Sequence, residues 1–189
     1  DLALLKFNEV SLNYTDLTQG MLANIEGFDM MAKGKMKGNT LTGNVNMSLR
    51  SINYKQATDS LTMAVILHDL KMGGKAEMIG DNVNADIELS SSKMTFESEG
   101  QTADFASLNF KYDGSINDYD AVKGNVELAV NDLSFVMDEE KLLDKADIRM
   151  ISPLNATLST MNVEFGASQF ALNNIFVDLI GKVAMPNDD

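Results

Sequence analysis

The sequence predicts an all-β fold: a long antiparallel meander forming a curved, groove-like sheet, built from two repeated β-modules. Three observations predict it. Apolar residues recur with a period of two along most of the 189-residue chain, short turn signals separate these runs, and one switch of alternation is written twice.

The alternating runs follow one another in order. Val10, Leu12 and Tyr14 alternate with Ser11 and Asn13, and Leu41, Val45, Met47 and Leu49 form the next set. Leu61, Met63, Val65 and Leu67 follow, then Val83, Ala85, Ile87 and Leu89. Near the end come Val177, Leu179, Gly181, Val183 and Met185. Turns are expected at "KGN" 37–39, "IGDN" 79–82, "YDG" 112–114 and "IND" 116–118, where Gly, Asn and Asp tolerate tight backbone conformations. The best helical candidate is "DEEKLLDKAD", Asp138 to Asp147, which is rich in helix formers but short and weakly striped.

The repeated switch lies in "LTGNVNMSLRSINYK" (41–55) and "VKGNVELAVNDLSFV" (122–136). With Gly43-Asn44-Val45 laid on Gly124-Asn125-Val126, Val45, Met47 and Leu49 fall on Val126, Leu128 and Val130. Ile52 and Tyr54 then fall on Leu133 and Phe135. Parity jumps at Arg50-Ser51 and again at Asn131-Asp132, and one bulged residue at each place would keep the apolar side chains on one face. Nearby, "FDMMAKG" at 28–34 falls on "LNFKYDG" at 108–114 with an offset one residue shorter, sharing pattern more than identity. Two modules follow, 1–90 and 91–189, expected to continue one sheet as a segment of a longer protein. The start at "DLALLKF" without Met adds to that last expectation.

Composition bounds the function. With 44% hydrophobic and 23% charged residues the chain is ordinary for an ordered protein. A formal net charge of −13 offers no basic patch for nucleic acid, and it disfavours electrostatic adhesion to an anionic lipid surface. The absence of cysteine excludes disulfides and thiolate metal sites. No apolar run approaches the roughly 18–20 residues of a transmembrane helix.

Few residues of the chain could carry catalysis. His68 is the sole histidine, placed after Leu67 and before Asp69 where a strand is expected to end, and it reads as structural. Asp16, Asp81, Asp118, Asp120, Asp138, Glu139 and Glu140 read as solvated turn residues. "NDYD" 117–120 and "PNDD" 186–189 lack the spacing of a calcium loop, and the glycines lack the context of a phosphate cradle. No catalytic residue, cofactor or metal is expected. The informative feature is the apolar face, with Val45, Met47, Leu49, Met63, Val65, Leu67, Val126, Leu128 and Val130 as its expected lining. Several of the 13 methionines (Met30, Met36, Met47, Met63, Met72, Met94, Met185) fall on alternating positions, and methionine suits surfaces that accept varied apolar partners. Such a face closes into a sandwich, giving a scaffold or adhesion-type interaction module, or stays open as a groove. A hydrolase would need two of the acidic turn residues to converge in a cleft.

The opening "LLKFNEVSLNYTDLTQGMLANIEGFDMMAKGKMKG", the middle "INYKQATDSLTMAVILHDL" and the close "FALNNIFVDLIGKVAMPNDD" resemble the recurrent strand pattern of the AsmA family. Gly181, Val183, Met185 and Pro186 hold the family's places in the last piece, and 94–116 matches least. The resemblance implies a non-enzymatic periplasmic module linked to outer-membrane assembly or envelope lipid transport, held in the inner membrane by an N-terminal helix outside this segment. It also implies a sheet curled into an apolar groove for lipid acyl chains, with other envelope proteins as further partners.

Overall fold

A computed structural model describes residues 2–58 and 62–184. Twelve β-strands in chain order account for the fold: β1 Leu2–Asp16, β2 Met21–Lys37, β3 Thr40–Ala57, β4 Thr62–Ile79, β5 Asn82–Ser91, β6 Lys93–Ser98, β7 Gln101–Phe105, β8 Ser107–Asn117, β9 Ala121–Met137, β10 Glu140–Thr157, β11 Asn162–Leu172 and β12 Ile175–Ala184. All belong to one antiparallel sheet in the order β1-β2-β3-β4-β5-β8-β9-β10-β11-β12. The all-β meander expected from the alternation is what forms. The 90/91 boundary between the two expected modules falls inside β5, which pairs β4 as far as Ser90 and β8 as far as Ser91.

The hairpin β6–β7 fills the remaining place, β6 pairing the first half of β4 and β7 the second half of β9. Because β5 and β6 pair β4 in one register, they are two halves of a single ribbon interrupted at Ser92. The same holds for β7 and β8 against β9, interrupted at Ala106. The sheet is therefore ten ribbons wide, and nearly every long ribbon is broken at the same level.

That level is a crease. Positive φ occurs there at Glu9 (49°) in β1, Gly27 (62°) in β2, Asp69 (48°) in β4, Asp132 (53°) in β9 and Lys145 (52°) in β10. Between β2, β3 and β4 the register is the same on both sides, and only Gly27, Arg50 and Asp69, which lie abreast, drop out of the ladder. An extra residue placed at one height in each neighbour reverses parity without shifting register. The switch at Arg50-Ser51 is thus an aligned row of breaks rather than a bulge in one strand. At Asp132 the expected bulge is present, with register shifts between β9 and β10.

Freed backbone groups find side-chain partners, as buried amides and carbonyls must. Ser91 Oγ donates to the His68 carbonyl (2.9 Å), Asp132 N–H donates to Asp147 Oδ1 (3.0 Å), and Asp147 N–H donates to Asn173 Oδ1 (2.7 Å). His68 lies inside β4, so the strand breaks and resumes there rather than ending. Arg50 reaches across Gly27 to Glu9 (3.0 Å), a path open because a Cβ at Gly27 would lie 3.0 Å from that of Arg50.

Two local expectations are corrected. "DEEKLLDKAD" forms the β9–β10 turn and the start of β10, because pairing with β9 outweighs helix propensity. "YDG" lies within β8, whereas the real turn spans 118–120. The turns at Gly38-Asn39 and Gly80-Asp81 match the sequence reading. Among the described residues no second layer covers the sheet: substantial strand contacts join sheet neighbours, plus a small contact of β6 with β8. The two-sheet sandwich does not form.

Candidate functional site

Register arranges the apolar residues into rows running across the strands. One row reads Phe7, Met30, Met47, Met72, Leu89, Phe110, Leu128, Met150, Phe170 and Val177, ten apolar side chains from edge to edge. A second holds Leu5, Ala32, Val45, Gly74, Ile87, Tyr112 and Val126. At the crease, Phe28, Leu49, Leu70, Ser91, Leu108, Val130 and Ile148 stand abreast. Beyond it, Ile25, Ile52, Leu67, Met94 and Phe105 continue the apolar surface with parity reversed.

The nine residues expected to line the face all fall on these rows or on their neighbours. Val45 shares a row with Val126, Met47 with Leu128, and Leu49 with Val130, so residues of the two sequence copies occupy equivalent heights. Leu49 and Val130 are buried at the crease, and Met63, Val65 and Leu67 lie beyond it. Val45, Met47, Met63, Val65, Leu67, Val126 and Leu128 are each half-buried. The reading missed the aromatic members Phe110, Tyr112, Phe96 and Phe105. Their alternation was visible, but the break at Ala106 hid their register. Met185 and Pro186, like the "PNDD" carboxylates, lie outside the described residues.

Small residues cut a furrow across this face. Gly34, Gly43, Ala76, Ala85, Gly114 and Gly124 lie abreast in six consecutive ribbons. Beside it a shallow trough of about 320 Å³ is lined by Ala32, Gly43, Val45, Met72, Gly74, Ala85 and Ile87. A second hollow of about 610 Å³ centres on Gly34, Gly43, Ala76 and Ala85, with Lys33, Lys75, Asp86 and Asp113 among its lining. The furrow is closed at one end by Tyr112. A Cβ at Gly124 would lie 2.8 Å from that ring, and the hydroxyl contacts the Lys123 carbonyl at 3.4 Å. Desolvation, and then the charge of Asp113, raise the Tyr112 pKa above its ordinary value. From Gly34 to Ala85 three interstrand spacings leave an open length of about 14 Å.

Polar chemistry is dispersed. Among the described residues no group of three or more His, Asp or Glu converges as a metal site. Asp120 binds the N–H (2.6 Å) and hydroxyl (3.1 Å) of Ser159, tying two turns together. Glu88 and Lys111 pair at 2.7 Å on an exposed surface. The lysine's hydrogen bond, and then its charge, lower the Glu88 pKa, and Glu88 in turn raises that of Lys111. His68 serves through its backbone carbonyl. Family models, curated proteins and solved structures give no match to this chain.

Proposed function

We propose that this chain is a non-enzymatic β-module that offers its apolar face to lipid acyl chains, in the manner implied by the resemblance to AsmA-like envelope proteins, acting in outer-membrane assembly or lipid transport in the periplasm. The observation that carries the reading is an apolar face without a covering layer. Only Leu49, Val130 and Ala146 are buried apolar residues among those described. The accessible surface is 12619 Å² for 20.6 kDa, about 40% above the ~8,900 Å² of a compact monomer of that mass. An uncovered apolar face across a sheet this wide normally marks a binding surface. Each methylene moved onto it contributes roughly 0.8 kcal/mol, so an alkyl chain binds without polar contacts. The acidic residues keep the rest of the surface soluble.

Native mass spectrometry of protein purified from bacteria is expected to show co-purified lipid, and a fluorescent fatty acid is expected to bind. Met47→Glu and Leu128→Glu, in one row of half-buried side chains, are expected to weaken that binding about tenfold or more. Absence of both lipid and probe binding from folded protein overturns the reading.

A further inference from the structure

The two outer ribbons of the sheet are unlike its third edge. Hairpin β11–β12 stops at the crease, where Asn173 meets Asp147, leaving the first half of β10 as an edge of its own. That edge reads Glu-Lys-Leu-Leu-Asp-Lys-Ala, carries the Lys141–Asp144 ion pair, and bears three register shifts on its β9 side. Charge and bulging are the usual devices that stop a sheet from adding strands. In β1 the register shifts lie beyond Phe7, so the stretch Leu4–Phe7 carries only Lys6, and in β12 the stretch Val177–Ile180 carries only Asp178, beside one register shift on its β11 side. Leu4, Leu5 and Phe7 are 59%, 50% and 42% exposed on β1. On β12 Val177, Leu179 and Ile180 are 42%, 52% and 83% exposed.

We propose that a second copy of this chain adds its β1 to the β12 edge, extending the sheet head to tail. This goes beyond the acyl-chain reading and does not depend on it. Ten is an even number of ribbons, so β1 and β12 run antiparallel. A copy shifted along the sheet therefore presents β1 to β12 in the antiparallel sense, with the apolar face on the same side. One register satisfies four consecutive facing pairs. Phe7 meets Val177, which continues the ten-residue apolar row, and Leu5 meets Leu179 beside it. On the other face Leu4 meets Ile180 and Lys6 meets Asp178, two opposite charges that make no ion pair within the chain among the described residues. A slip of two residues sets Lys6 against Phe176 and Leu4 against Asp178. The contact is heterologous, and each added copy leaves a further β1 or β12 edge for the next.

The chain has no cysteine, so single-cysteine variants report the register directly. Mixed under mild oxidation, Phe7→Cys and Val177→Cys proteins are expected to form a disulfide-linked pair, as are Leu5→Cys and Leu179→Cys. Leu5→Cys with Val177→Cys, two residues out of register, is expected to couple at least several-fold less. Sedimentation is expected to show mass growing with concentration. Ile180→Lys, at a side chain that makes little contact within the fold, is expected to weaken this about tenfold while the strand spectrum is kept. A monomer at every concentration overturns the proposal. So does equal coupling of the out-of-register pair, or association that survives Ile180→Lys and instead depends on Met47 and Leu128 of the apolar face.

Discussion

Gly114 and Gly124 stand side by side in β8 and β9, and Tyr112 lies over them. Glycine in a strand interior ordinarily weakens it through entropy and lost packing. Here the absent side chains make room for a ring that covers both positions and whose hydroxyl reaches the carbonyls of Ser115 and Lys123. A Cβ at Gly124 would lie 2.6 Å from the Asp113 carbonyl and 2.8 Å from the Gly114 Cα, both backbone atoms that cannot swing aside. Gly124→Val is therefore expected to destabilise the fold by about 1–3 kcal/mol, read from the urea midpoint. Gly181→Ala, where a Cβ would meet nothing within 4 Å, serves as the near-neutral comparison. The "YDG" stretch shows why a residue-level reading of such sites misleads: Asp-Gly is a turn signal by local chemistry, and only the neighbouring strand shows that the glycine marks close approach.

At the scale of the element, the crease is the feature that organises the ribbons. Beside its row of large apolar side chains it holds small buried residues, Gly27, Ser51, Ser91 and Ala146, with Asp69 and Asp132 at positive φ. A similar economy operates where β10 and β11 shift register between Ile151 and Leu154. There the fully buried Ser152 shares a 2.6 Å hydrogen bond with Ser168, and Pro153, which lacks an N–H, sits beside the register shift. Gly27→Val requires a β-branched side chain at φ 62° and drives it into the Arg50 side chain that bridges to Glu9. A loss of about 1–3 kcal/mol is expected, with faster amide exchange in β1 and β2 than in β9 and β10. If exchange rises uniformly across the sheet, the crease is not a local hinge of stability. The doubled parity switch was legible in the sequence at Arg50-Ser51 and Asn131-Asp132. The matching breaks at Glu9, Asp69 and Lys145 were not, because a single strand carries no record of the height at which its neighbours bend.

For the whole molecule, a single layer with one apolar face should unfold unlike a packed globule. Heat capacity of unfolding follows the apolar area newly exposed, and much of that area is already in water. Calorimetry is expected to give a value below the usual ~12–15 cal/mol/K per residue, and an acyl ligand that binds the folded sheet is expected to raise Tm with concentration. A value in the usual range would mean that the apolar rows are covered in solution, by self-association or by a retained guest. The alternation and the turn residues determined by themselves that the chain is a meander of strands with one apolar face, because side-chain period and turn chemistry are local properties. Only the tertiary structure decided that the strands form one uncovered sheet rather than two packed ones, that the breaks align into a crease, and that the glycines line up as a furrow. Each of these depends on register between strands far apart in the chain, and register is set by the pairing of whole ribbons rather than by any single stretch of residues.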